Sequence, residues 1–444
     1  MCAVVGVFGV QSAAKSAYLA LFAMQHRGQE ASGISSANGK KIFTIKDRGL
    51  VATVFSNEKL DKLVGSMAIG HNRYSTAGED SILDAQPVFA RYDLGEMSIV
   101  HNGNLTNAKE IRNELIKDGS IFQSSMDTEN LAHLISKSTK AKLKDRIIDA
   151  VKLAKGAYSF VFLSRSKMFA IRDPHGFRPL VLGKIGKDGW MVASETCALD
   201  LAGAKFIREV APGEMLIFEE GKEPQSYTIA EATPKHCIFE HVYFARPDTN
   251  LFGLSAYATR VEMGRRLSSE LPVEADMVIP VPDSGMPAAI GYARESKIPF
   301  ELGIIRNHYV GRTFIEPAQE IRDLKVRMKL SPIKELISGK NIIVVDDSIV
   351  RGTTSKQIVR MLKDAGAKSV HMRISSPPTT DPCYYGIDTP DKSHLISSSK
   401  TVEDVRKFIG ADSLAYLSVD NLISSVDGQD GSYCTACFNG EYPV

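Results

Sequence analysis

The run Asn341-Ile342-Ile343-Val344-Val345 ends on two adjacent carboxylates, Asp346 and Asp347. It continues through Ser348-Ile349-Val350-Arg351-Gly352-Thr353-Thr354 into a helical pattern from Ser355 to Ala365, stopped by Gly366. Four consecutive β-branched residues without polar alternation fit a strand covered on both faces, the condition inside a parallel α/β sheet. Ligands of open α/β sheets bind beyond the carboxyl ends of the strands, where the acidic pair stands. The turn that follows offers backbone N–H groups and a helix dipole to an anion. The carboxylates just upstream suit sugar hydroxyls or a hydrated Mg²⁺.

The rest of the second half keeps the same rhythm. Met277-Val-Ile-Pro-Val281 leads into a Gly/Pro loop and a helix from Pro287, and Ser369 to Ile374 reads as a further strand. Apolar strands alternating with helices predict βαβ units and a parallel sheet. Before residue 230 the pattern differs, with short strands, few helices and many Gly or Asn turns. Strands are expected at Ala3 to Gly9, Met67 to Gly70, Met97 to His101, Ser159 to Leu163, Met168 to Ile171 and Met215 to Phe218. Amphipathic helices are expected from Ser16 to Gln25 and from Asn107, as N-cap, to Lys117. An antiparallel α+β domain over 2–230 followed by an α/β domain over 231–444 accounts for both rhythms.

The length of 444 residues suits two or three cores. With 54 Lys and Arg against 52 Asp and Glu, the net charge of +2 recruits neither nucleic acid nor an anionic membrane. No apolar run approaches a membrane span, and the amino end lacks a signal-peptide pattern, so a cytoplasmic location is expected.

Cys2 follows Met1 directly. Removal of Met1 would leave one residue carrying both a thiol nucleophile and a free amine able to act as its base. Alternatively, Cys2 is a small buried residue at the head of the first strand. His71 to Thr76, Val100 to Leu105 and Ser125 to Glu129 resemble segments of the N-terminal-nucleophile amidotransferases, which implies cleavage of a glutamine side-chain amide; that chemistry further requires oxyanion donors and charges that hold the amino acid's own carboxylate and ammonium. Arg73 suits the carboxylate and Asp127 the ammonium, while the Asn102 side chain and the Gly103 N–H suit the oxyanion. Asn102-Gly103 is also a turn signal, which would expose both between strands.

The segment Val344 to Thr354 resembles the ribose-phosphate loop of type I phosphoribosyltransferases. That resemblance implies Asp346 and Asp347 for the ribose hydroxyls and metal, with Ser348, Arg351, Gly352, Thr353 and Thr354 around the 5-phosphate of phosphoribosyl pyrophosphate (PRPP). Val281-Pro282-Asp283-Ser284-Gly285 resembles the family's pyrophosphate loop, implying Asp283, Ser284 and Gly285 as PRPP contacts and Ser284 near Mg²⁺. Arg306 to Phe314 looks like the flap that closes over PRPP, with Tyr309 and Arg312 on it and Arg327 and Lys329 beyond.

In the first half, His71 to Thr76, Val100 to Leu105 and Ser125 to Glu129 resemble N-terminal-nucleophile amidotransferases of αββα fold. The two halves together resemble the glutamine PRPP amidotransferases. That implies glutamine hydrolysis at Cys2 and attack of ammonia on C1 of PRPP, giving 5-phosphoribosylamine, glutamate and pyrophosphate in the first committed step of purine synthesis. It also implies one Mg²⁺ per subunit, purine nucleotides as feedback inhibitors and a homotetramer.

Six cysteines are too few for a disulfide scaffold. Cys237, Cys383 and the Cys434-x-x-Cys437 pair could hold zinc or an iron–sulfur cluster, or be unrelated core thiols; spacing alone does not separate these. Resemblance to the cluster-bearing branch implies that these four hold a [4Fe–4S] cluster, leaving Cys197 to the core. Many members of that branch carry a propeptide, whereas only Met1 precedes Cys2 here, so autoprocessing is expected to be unnecessary. Two other readings remain: a different N-terminal-nucleophile amidotransferase, and a non-catalytic PRPP-binding regulator. The first would need a different second half, and the second would have no use for Cys2, Arg73 and Asp127.

Overall fold

In the structure, a computed structural model, residues 1–74, 81–307, 329–389, 391–426 and 431–444 are described. The first half is a four-layer αββα sandwich. Its seven-stranded antiparallel sheet is centred on Ala3–Phe8, flanked by Met67–Arg73 and Gly189–Ala193. Its six-stranded sheet is centred on Gly156–Ser164 and Lys167–Arg172, beside Gly95–Leu105. The sheets pack face to face through Val4, Ile69 and Val192 on one side and Val100, Val161 and Met168 on the other. Gly6 permits the close approach, because a Cβ there would lie 2.7 Å from the Met168 sulfur.

Helices cover both outer faces. Ala13–Ala23 lays Ala13, Ala17, Ala20 and Leu21 on the first sheet. Asp127–Lys137 and Leu143–Leu153 cover the second through Leu131, Ile135, Ile147 and Val151. The expectation of few helices in this half is therefore corrected. Asn107 stands at the cap position of Ala108–Lys117, but its side chain makes no capping bond. It bridges instead to the end of the neighbouring helix, donating to Leu153 O at 2.9 Å and accepting from Lys155 N at 3.0 Å.

The second half is built on a four-stranded parallel sheet in the order Met277–Pro280, Asn341–Asp346, Ser369–Ile374, Ser413–Tyr416. Helices Ala256–Glu270 and Met286–Ser296 cover one face, and Thr353–Asp364 and Val402–Ile409 the other. Strand Gln225–Thr228 is the last to join either first-half sheet among the described residues.

A short parallel pairing, His236–Cys237 against Tyr433–Cys434, lies at the junction. Four fully buried charged side chains cross that junction. Arg27 bonds Glu195 through Nε and Glu240 Oε2 through Nη2 at 2.6 Å, and Arg178 Nη1 lies 3.4 Å from Glu240 Oε1. Burial alone would raise the Glu195 carboxyl, but Arg27 and then His26 hold it well below the usual range.

Candidate functional site

Cys2 begins the central strand of the first sheet and is buried. Its backbone N–H donates to Asn102 Oδ1 at 3.3 Å, and its thiol lies 3.5 Å from Tyr74 O. Burial pushes the thiol above its ordinary pKa, opposed by the amino-terminal charge and Arg73. Met1 is buried in the apolar cluster at the junction. Its amine is pushed down to about 6 by burial.

Asn102 and Gly103 do not form a turn. They lie inside the strand Gly95–Leu105, paired with Ser159 and Tyr158. Register with two neighbours overrides the local turn cue, and the glycine serves the strand's geometry: Gly103 has φ +145°, and a Cβ there would lie 2.1 Å from Ala157 O. The Asn102 side-chain Nδ2 is buried with no hydrogen-bond partner among the described residues. A buried orphan donor beside a thiol is what an oxyanion site requires of a resting enzyme.

Arg73 is buried, with Nη1 3.4 Å from Ser81 O and Nη2 3.6 Å from Asp84 Oδ2. Asp84 in turn accepts from Ser125 N at 2.8 Å, linking Arg73 to the segment before Asp127. Asp127 opens its helix and is buried; Oδ1 lies 3.3 Å from His101 Nδ1, and Oδ2 accepts from Leu105 N at 3.0 Å. Burial would raise its carboxyl, but His101 and these hydrogen bonds bring it below the ordinary value. His101 is a site residue that sequence reasoning quoted without assigning a role.

In the second half, Asp346 closes its strand with Asp347 beside it. Asp347 N donates to Asp346 Oδ1 at 2.9 Å, and Ser348 Oγ to Asp347 Oδ2 at 2.6 Å. Burial, reinforced by the Asp347 charge, pushes the Asp346 carboxyl well above the usual range. Ser284 Oγ lies 3.4 Å from Asp346 Oδ1. Asp283 is ion-paired with Arg306 at 2.5 Å. Gly285 is explained by packing, since a Cβ there would lie 2.2 Å from Val345 O. Gly352, at φ +74°, turns the chain into the helix Thr353–Asp364. Tyr309, Arg312 and Arg327 lie outside the described residues, as do Ser75 and Thr76.

A cleft of about 680 Å³ joins the two halves. The second half contributes Ser284, Asp346, Asp347 and the whole of Ser348 to Thr354 to its wall, and the first half contributes His26 and Tyr74. Cys383 and Cys437 also line it, as do Ile387, Asp388 and Thr389. The junction charges, His26 and Ile387 to Thr389 carry no sequence signal, being isolated side chains that only the fold brings together.

The four cysteines converge at this junction. Cys237 stands opposite Cys434 in the parallel pairing, and Cys237, Cys383 and Cys437 share one apolar cluster. Burial, then the neighbouring Cys237, Cys383 and Cys434, push the Cys437 thiol well above its ordinary value. Among the described residues, no group of three or more His, Cys, Asp or Glu is arranged to hold a metal ion. Cys197 is buried in the first-half core. No helix of the described residues is long and apolar enough to cross a membrane.

A glutamine amidotransferase domain model matches residues 71–201, and a phosphoribosyl transferase domain model residues 262–385. The chain is 52% identical over 444 residues to amidophosphoribosyltransferase 1, chloroplastic, of Arabidopsis thaliana, covering 100% of this chain and 78% of the relative. It is 47% identical over 449 residues to the amidophosphoribosyltransferase of Bacillus subtilis (strain 168), covering 100% and 94%. The solved structure of glutamine PRPP amidotransferase from B. subtilis complexed with ADP and GMP matches with a TM-score of 0.94 at 46% identity, over 100% of this chain and 97% of that one. A structure described as the allosteric regulatory enzyme of purine biosynthesis matches at 0.95 and 47% identity, over 100% and 96%.

Proposed function

The chain belongs to the amidophosphoribosyltransferase family, and on that premise we propose how its residues divide a glutamine-dependent first step of purine synthesis. The observation that carries the division is the shared cleft, which runs from Tyr74, whose carbonyl meets the Cys2 thiol, to the acidic pair and its phosphate loop.

The Cys2 sulfur adds to the side-chain amide carbon of glutamine. The C–N bond breaks as the leaving nitrogen takes a proton, and water then cleaves the thioester to glutamate and restores the thiol. Asn102 Nδ2 and the Gly103 N–H receive the negative oxygen of the tetrahedral species. Arg73 holds the substrate carboxylate and Asp127 its ammonium. Once Met1 is removed, the Cys2 amine can take the thiol proton; with Met1 attached that nitrogen is an amide and only donates, to Asn102.

Ammonia crosses the cleft, its lone pair attacks C1 of PRPP as the bond to pyrophosphate breaks, and loss of a proton gives 5-phosphoribosylamine. Asp346 and Asp347 hold the ribose, Ser348 and Arg351 to Thr354 the 5-phosphate, and Asp283 to Gly285 the pyrophosphate. Tyr309 and Arg312 would cover them.

Mg²⁺ fits beside Ser284, Asp346 and Asp347. It is bound by one or two carboxylates together with substrate phosphates, so a three-donor protein cage is not required. The proton that burial and Asp347 favour on Asp346 is what a cation would replace. Bound Mg²⁺ supplies charge neutralisation for the departing pyrophosphate. Cys237, Cys383, Cys434 and Cys437 gather at the junction and would hold a [4Fe–4S] cluster, as the resemblance to the cluster-bearing branch implies. Its contribution is structural, joining the carboxyl-terminal segment to the hinge. Equal iron and sulfide in the purified protein would support it, and zinc would overturn it.

Purine nucleotides as inhibitors, suggested by the ADP and GMP in the B. subtilis relative, a homotetramer and a cytoplasmic location complete the reading; the Arabidopsis relatives are named chloroplastic. The reaction is tested by following pyrophosphate release with glutamine and PRPP, each omitted in turn. Release that needs no nitrogen source would overturn the assignment.

A further inference from the structure

Two glycines from opposite halves of the chain lie against one another. Gly386 has φ +100°, and a Cβ built on it would stand 2.9 Å from the carbonyl carbon of Gly103, 3.0 Å from its Cα and 3.1 Å from its oxygen. All three are main-chain atoms, which cannot swing aside as the end of a long side chain can. Gly103 is itself tightly packed on its strand neighbour, since a Cβ there would lie 2.1 Å from Ala157 O. Its peptide is therefore held between its strand neighbour and a segment from the second half.

That segment is fixed to the first half at three consecutive residues. Asn104, next to Gly103, donates from Nδ2 to Tyr384 O at 2.9 Å. Arg178 donates to Tyr385 O from Nε at 2.9 Å and from Nη2 at 2.5 Å. The Tyr385 ring stacks on Phe177 with centroids 4.3 Å apart. The third residue is Gly386 itself. Oxyanion donors must sit about 2.7–3.1 Å from the developing charge, and a misplacement of about 1 Å costs on the order of 10²-fold in rate. A main chain packed on the donor-bearing strand at that point sets where the donors stand.

We infer that Gly386 is a positioning residue for the glutamine half-reaction, acting through Gly103, although it belongs to the half that binds the sugar phosphate. The inference rests on the assignment of Asn102 and Gly103 to the oxyanion.

Gly386→Ala introduces both the clash and a strained φ. Glutamine-dependent turnover is expected to fall by about tenfold or more, with KM for glutamine and the ammonia-dependent rate within about twofold of the parent. The discriminating readout is binding of glutamate γ-semialdehyde, whose carbonyl accepts the thiol to give an oxyanion-bearing adduct. Its affinity should fall with turnover while affinity for glutamate does not. Asn104→Ala loosens the same contact without a clash and should give the same pattern at about threefold, which carries the test if Gly386→Ala does not fold. Unchanged glutamine turnover in both variants would overturn the inference, as would an equal loss with both nitrogen sources. Asn102→Ala with glutamine hydrolysis intact would instead withdraw the oxyanion assignment beneath it.

Discussion

Arg27, from the glutamine-cleaving half, donates to Glu240, from the sugar-phosphate half, at 2.6 Å with neither side chain exposed. Glu195 and Arg178 complete the group, so the junction is held by fully buried charges that have partners. Removing one member of a buried pair leaves the other uncompensated, at a cost of about 3–5 kcal/mol. Arg27→Met is expected to destabilise the protein by that amount. Urea unfolding read by circular dichroism and by Trp190, the chain's single tryptophan, should show it, and an unmoved midpoint would contradict the network's role.

Cys2→Ala should lower glutamine-dependent turnover by about 10⁴-fold or more while leaving ammonia-dependent consumption of PRPP within about twofold. Steady-state assays with each nitrogen source decide it. A folded variant that loses both activities would count against separate centres.

Asp346→Asn and Asp347→Asn should each reduce turnover by about 10²-fold or more with glutamine and with ammonia alike. Pyrophosphate release measures both. Retained ammonia-dependent turnover would move the sugar-phosphate site elsewhere.

Glu129 sits in the first turn of the helix that Asp127 opens. It accepts from Gln123 N and Ser124 N at 2.8 Å each and from Ser124 Oγ at 2.6 Å. Burial works against its charge, but His133, Ser124 and the Gln123 N–H bring its pKa down from 4.5 to about 2. Because the folded value is depressed, the unfolded chain binds more protons between these limits, and stability rises with pH there. The contribution is complete above about 4.5 and is lost as pH falls toward 2. Comparing Glu129→Gln with the parent by thermal melting should show a gap at pH 6 that narrows below pH 4; a pH-independent gap would refute the titration.

Much of the second half was legible because its signals are local and ordered along the chain: an apolar strand, Asp346-Asp347, then Gly352-Thr353-Thr354. Cys2 was readable as chemistry, although only the fold brings its N–H to Asn102, 100 residues away. The turn cue of Asn102-Gly103 misled because pairing with Ser159 and Tyr158 outweighs a dipeptide preference. The first-half helices Asp127–Lys137 and Leu143–Leu153 were missed although Leu131 with Ile135 and Ile147 with Val151 carry the i, i+4 spacing. The quartet of Arg27, Arg178, Glu195 and Glu240 was illegible for a deeper reason: each member is an isolated charge whose partner lies up to 213 residues away.

The pairing of His236–Cys237 with Tyr433–Cys434 joins two strands separated by nearly the whole second half. During synthesis the hinge segment emerges early and must wait for residue 434 before its neighbour exists. Until then Arg27 and Glu195 have one another, while the short strand that leads to Glu240 lacks its neighbour. Closure of the junction is thereby placed after the described strands of both halves' main sheets have been made, since all of them precede Tyr433.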